Sequence, residues 1–125
     1  MKERRNTLFQ INLSSRIPIY EQLYNKIIEL IMKGQLKEED QIPSVRALAK
    51  ELGVNPNTVQ KAYQELERNG IIFSVTGRGN FIAPIDKKLV TEKALDNFDK
   101  VVVESLKLGF SKEDLTKRIK EISYD

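Results

Sequence analysis

Residues 43–70 read PSVRALAKELGVNPNTVQKAYQELERNG. Ser44 is a good N-cap, and Val45, Leu48, Ala49 and Leu52 follow at helical spacing, which predicts a short helix over about residues 45–52. Gly53 stops it, because glycine enters the left-handed conformation that closes helices. Asn55-Pro56 then reads as an N-cap followed by a proline in the first turn, where its missing N–H costs nothing. A longer helix runs from about 56 to 69, with Val59, Ala62, Tyr63 and Leu66 on one face and Gly70 at its end. Two helices joined by so tight a turn point to a helix-turn-helix. The spacing agrees: Ala49 permits close approach, Gly53 turns the chain, and Val59 packs back inward.

Upstream, Tyr20, Leu23, Tyr24, Ile27, Ile28 and Ile31 fall on one helical face, predicting a helix over about 18–33 with Pro18 early and Gly34 as the stop. Phe9, Ile11 and Leu13 alternate with Gln10 and Asn12, which predicts a short strand broken at Ser14. Residues 35–42 read as a charged loop. Downstream, Ile71–Val75 and Asn80–Ala83 flank Thr76-Gly77-Arg78-Gly79, a hairpin signal. The order α-α-α-β-β is that of a winged helix.

Beyond Pro84 and Asp86 the pattern changes. Val90, Ala94, Phe98, Val101, Val102 and Ser105 follow a helical stripe flanked by Leu95 and Leu106 and closed by Gly109. Ser111 and Asp114 form a variant of the capping box, with Phe110 and Leu115 as a hydrophobic staple. Leu115, Ile119 and Ile122 face one way. An isolated pair of amphipathic helices cannot bury both stripes; the simplest solution is an isologous contact with the same segment of a second chain, and the alternative is that residues 86–125 fold back onto their own winged-helix domain. The expected fold is therefore mainly α with a small β-wing. Residues 1–10 are expected to form a flexible N-terminus, 11–85 a winged helix-turn-helix domain, and 86–125 a two-helix dimerisation hairpin.

Composition narrows the chemistry. The 125 residues include no His and no Cys, which removes disulfides, thiolate and imidazole metal sites, cysteine nucleophiles and Ser-His-Asp triads. No paired-carboxylate or lysine constellation stands out, and Gly77-Arg78-Gly79 is too short for a phosphate-binding loop, so neither an enzyme nor a cofactor is expected. No apolar run approaches the roughly 18 residues that cross a bilayer. No signal-peptide core is present at the start, so the expected location is the cytoplasm. Residues 1–85 hold 12 Lys+Arg against 9 Asp+Glu, and residues 86–125 hold 9 of each. The net charge of +3 thus sits wholly in the first two thirds, where affinity for a polyanion is expected.

Asn57, Thr58, Gln60, Lys61, Gln64 and Arg68 point away from the apolar stripe of the 56–69 helix. Amides pair with adenine edges, Lys with guanine, and a Thr methyl with a thymine methyl, so this face suits the major groove. Arg46 lies beside a helix N-terminus, where the dipole disfavours a cation; a phosphate or base contact would explain it, and the alternative is a surface ion pair, for example with Glu51 or Asp40. Arg78, between two glycines at the hairpin tip, suits a minor groove or a phosphate. Tyr63 falls on the inner stripe and is assigned to the core.

The segments IPIYEQLYNKIIELIMKGQL (17–36), IPSVRALAKELGVNPNTVQKAYQELERNGII (42–72) and GRGNFI (77–82) closely resemble the GntR family of bacterial transcription regulators. The tail of ~40 residues resembles its YtrA-type subfamily in length and helical pattern. The resemblance implies a homodimeric repressor on a pseudo-palindromic double-stranded DNA operator. It places the family's DNA-contact pattern on Ser44 and Arg46, on Asn57, Thr58 and Gln60, and on Arg78 with Gly79. Together with Asn55, Lys61 and Gln64, these are the candidate DNA-binding residues. The candidate dimerisation residues are Val90, Ala94, Phe98, Val101, Val102, Leu106, Leu115, Ile119 and Ile122. Many members carry an Arg early in the recognition helix where this chain has Pro56 or Asn57, so their base preference does not carry over to it. A Gly common just before the LPS stretch is replaced here around Asp40-Gln41. No residues point to an effector ligand. The alternative reading is a winged-helix module that binds protein rather than DNA, against which the polar helix face and Arg78 count.

Overall fold

The structure, a computed structural model, describes residues 9–123. Eight elements follow one another: α1 (Ile19–Met32), β1 (Gln41–Ile42), α2 (Val45–Leu52), α3 (Pro56–Arg68), β2 (Ile72–Val75), β3 (Gly79–Ile82), α4 (Lys87–Lys107) and α5 (Lys112–Glu121). They fall into two units, the first running to Thr91 and the second starting at Glu92.

In the first unit, α3 packs on both α1 and α2, and a three-stranded antiparallel sheet of order β1-β3-β2 closes the side. Leu23 and Ile27 of α1, Leu48 of α2, Val59 and Leu66 of α3, Ile72 of β2 and Ile82 of β3 fill the centre. Burying each such side chain contributes roughly 1.5–3 kcal/mol. The helix ends obey local chemistry. The Ser44 hydroxyl accepts from the Ala47 N–H at 3.0 Å, and the Asn55 side-chain oxygen accepts from the Asn57 N–H at 2.8 Å. Gly53 closes α2 in the left-handed region at φ 70°, its N–H bonded back to the last turn.

Three expectations are corrected. Phe9–Leu13 is not a strand: Phe9 is buried and Ile11 half-buried, but no strand edge meets them. Instead the Gln22 side chain holds this backbone, accepting from the Asn12 N–H at 2.7 Å and donating to the Asn12 and Ile17 carbonyls at 3.0 and 2.8 Å. The 35–42 loop ends in β1, which pairs Gln41 with Phe81 and Ile42 with Asn80. The position in that loop that demands glycine-like geometry is Glu39, at φ 69° the one non-glycine with positive φ among the described residues. Its N–H donates to the Ile82 carbonyl at 2.8 Å, which extends the β1–β3 pairing back through the turn. Thirdly, Val90 does not belong to an exposed stripe. It is 5% exposed and sits in the core of the first unit.

In the second unit α5 carries the capping box in full. The Ser111 hydroxyl accepts from the Asp114 N–H at 3.0 Å, and the Asp114 carboxylate accepts from the Ser111 N–H at 2.9 Å. The chain turns at Gly109, φ 104°. The two helices share no extended contact, and Ser105, Phe110, Leu115 and Arg118 line an open crook of about 470 Å³ between them.

Candidate nucleic-acid interface

α3 is divided lengthwise. Val59, Ala62, Tyr63 and Leu66 are buried, while Asn57, Gln60, Lys61, Gln64 and Arg68 are exposed and Thr58 is half-buried. Two features set its contact with α2. The Tyr63 hydroxyl donates to the Pro43 carbonyl at 2.7 Å, and burial pushes its pKa well up. Ala49, 2% exposed, leaves room for the close approach that its small side chain predicts.

The candidates divide by what already holds them. Ser44 and Asn55 are caps: each uses its side-chain oxygen on a backbone N–H, leaving the Ser44 O–H and the Asn55 amide hydrogens free to donate outward. Asn57, Gln60 and Gln64 have no side-chain partner among the described residues and present three amides along successive turns. Lys61 is engaged: its ammonium lies 3.9 Å from the centre of the Tyr20 ring on α1. That cation–π contact holds it toward α1 rather than extended from the helix axis. Arg68 is engaged more fully, in a bidentate pair in which its Nη2 and Nε donate to Glu65 Oε1 and Oε2 at 2.6 and 3.2 Å. The hydrogen bond from Arg68 is the main cause that lowers the Glu65 carboxyl pKa.

Arg46 is exposed in the first turn of α2 and pairs with neither Glu51 nor Asp40. The Asp40 carboxylate is taken by the Lys37 N–H at 2.8 Å. Lys50 follows one turn later on the same side and was not singled out from sequence, although its i, i+4 spacing from Arg46 is the signal that places it there. Arg46, Ala47, Lys50, Val54 and Pro56 border a shallow concavity of about 420 Å³ where α2 meets the start of α3. In the wing, Arg78 is exposed at the tip, and its guanidinium has no partner among the described residues. Gly79 opens β3 at φ 118°. Unpaired cations on α2 and at the wing tip therefore accompany the amide-bearing face of α3, the composition of a surface for a polyanion with readable edges. No group of His, Cys, Asp or Glu able to hold a metal occurs among the described residues.

Fold and surface together define a winged-helix DNA-binding transcription regulator. The family described as bacterial regulatory proteins, gntR family, matches residues 19–82. The chain is 41% identical over 122 residues to the HTH-type transcriptional repressor YtrA of Bacillus subtilis, covering 94% of each. Among solved structures it is similar to YtrA from Sulfolobus acidocaldarius, a GntR-family transcription factor, with TM-score 0.64 and 37% identity over 82% of this chain and 100% of that one. It is also similar to AraR(DBD) in complex with operator ORE1, with TM-score 0.51 and 35% identity over 61% of this chain and 95% of that one. The chain belongs to the GntR family, in its YtrA-type branch, a family of transcription regulators rather than enzymes. No described helix is long and apolar enough to cross a membrane.

Proposed function

We propose that this chain is a homodimeric transcriptional repressor of the bacterial cytoplasm that binds a pseudo-palindromic operator. The observation that carries the dimer is the state of the second unit: none of its described residues is buried. Phe98 and Val101 on α4 are 47% and 50% exposed, and Ile119 and Ile122 on α5 are 53% and 64% exposed. Ala94 is exposed as well, while Val102, Leu106 and Leu115 are half-buried. So much apolar surface on two helices that barely touch each other is covered most simply by the same surface of a second chain. Two-fold symmetry then sets two copies of α3 about one DNA turn, or a multiple of it, apart.

On each half-site α3 enters the major groove. Asn57, Thr58, Gln60 and Gln64 meet base edges, and Lys61, held by Tyr20, meets the backbone. Ser44, Arg46 and Asn55 add contacts to phosphate at the two helix N-termini, where N–H groups favour an anion. Arg78 and Gly79 carry the wing to the minor groove or its phosphates. The B. subtilis relative's name as a repressor supports the direction of control. Light scattering of the full chain at tens of micromolar tests the assembly. A dimer is expected, and Phe98→Asp combined with Val101→Asp should yield a monomer. A monomeric unsubstituted chain would contradict the proposal.

A further inference from the structure

The tip of the wing is held to β1 by one side chain. Thr76, Gly77 and Arg78 form the hairpin tip, with glycines at positive φ (78° at Gly77, 118° at Gly79) on either side of Arg78. Such a tip has little to fix it: its one internal backbone bond runs from the Arg78 N–H to the Val75 carbonyl at 2.9 Å. Gln41, 37 residues earlier in the chain, supplies a second hold. Its side-chain amide donates to the Arg78 carbonyl at 2.8 Å. A Cβ built on Gly79 would lie 2.8 Å from that same amide nitrogen. Gly79 therefore does more than accept a positive φ: its bare backbone lets the Gln41 side chain pass over it and reach the tip.

The sheet explains why Gln41 can do this. Gln41 pairs with Phe81, so it stands on the face of the sheet to which Phe81 and Gly79 belong, opposite the buried Ile42 and Ile82. β1 is two residues long and runs through Pro43 directly into the N-cap of α2 at Ser44. The Gln41–Arg78 bond thus joins the wing tip to the strand that leads into the Arg46-bearing helix.

We propose that Gln41 is a positioning residue for DNA binding. By holding the Arg78 carbonyl it fixes where the Arg78 guanidinium stands relative to α2, so that wing and helices meet one duplex in a single geometry. This rests on the reading of the chain as a duplex-DNA binder with Arg78 in contact. The bond is solvent-exposed, so its loss changes the presentation of the tip more than the stability of the fold.

The test is a double-mutant cycle on the full chain: unsubstituted, Gln41→Met, Arg78→Ala and the double variant. Gln41→Met keeps the side-chain length and removes the donor. The probe is a fluorescein-labelled duplex of ~30 base pairs, about three helical turns, recovered as the tightest binder from a random pool. Gln41→Met should weaken binding about threefold to tenfold and lower the salt slope toward that of Arg78→Ala, while the melting temperature stays unchanged. Most decisively, the double variant should bind no more weakly than Arg78→Ala alone. Losses that multiply in the double variant would overturn the proposal, as would a Gln41→Met protein that binds like the unsubstituted chain, or an Arg78→Ala protein with no loss. Failure of the unsubstituted chain to bind any duplex would instead overturn the reading beneath it.

Discussion

The Tyr63 hydroxyl donates a 2.7 Å hydrogen bond to the Pro43 carbonyl, joining the middle of α3 to the residue just before the cap of α2. The helix proposed to read bases and the helix that carries Arg46 are thereby set in one frame. Tyr63→Phe leaves the ring in place and strands a part-buried carbonyl, so a loss of about 1–2 kcal/mol of stability is expected, read by chemical denaturation. DNA affinity should fall with it, because the two helices lose their common reference. Unchanged stability would show that water replaces the phenol without cost.

Glu39 holds a left-handed conformation at φ 69° with no glycine to accept it. Its N–H and the neighbouring Asp40 N–H are both committed to backbone carbonyls, which keeps the turn in place despite the strain. Glu39→Gly should raise stability by roughly 1 kcal/mol, the cost of an L-residue in that region less the added freedom of the unfolded chain. The melting temperature reports this directly. A fall on substitution would mean that the Glu39 side chain contributes more than its backbone strain costs.

The Asp114 carboxyl is held below the ordinary aspartate range, chiefly by the hydrogen bond from the Ser111 backbone N–H. A carboxylate with a depressed folded pKa stabilises the fold above its unfolded pKa of about 3.9 and loses that contribution as pH falls through the lower folded value. The first turn of α5 should therefore loosen only below the usual aspartate range. Amide chemical shifts of Ser111 and Asp114 followed against pH read the midpoint, and Asp114→Asn should remove the transition. A midpoint at or above about 3.9 would contradict the capping account.

Exposed side chains on the proposed DNA-facing side separate into two kinds by their chemistry. Gln60→Ala should cost roughly 1–3 kcal/mol at one base position and relax the preference there. Arg46→Ala and Lys50→Ala should weaken all sequences alike and each reduce the salt slope by about one. Competition titrations with single-base variants of one duplex distinguish the two. A base-specific loss from Arg46→Ala would move that residue from phosphate to base reading.

Helices α2 and α3 were legible in the sequence because their limits are set by neighbours in the chain. Ser44, Gly53 and Asn55-Pro56 cap and stop α2 and α3 within one turn of themselves. What the sequence concealed depends on distant partners. β1, two residues long, has no periodicity to detect and exists because β3 lies beside it. At Phe9–Leu13 only Phe9 and Ile11 turn inward, Leu13 is 66% exposed, and no strand lies there to pair with. Val90 sits in register with the α4 stripe, yet periodicity gives a face and not its neighbour, and here the neighbour is the first unit's core. The Lys61–Tyr20 and Gln41–Arg78 contacts join residues 41 and 37 positions apart, and no local pattern announces them.

The central claim is that α3 and the wing read one duplex sequence, twice, about a two-fold axis. Selection of bound duplexes from a random pool at physiological salt tests it most directly. The account predicts enrichment of an inverted repeat with half-sites about 10 base pairs, or a multiple, between centres, and an affinity that falls steeply with added salt. A pool that remains without any preferred sequence under those conditions would contradict it.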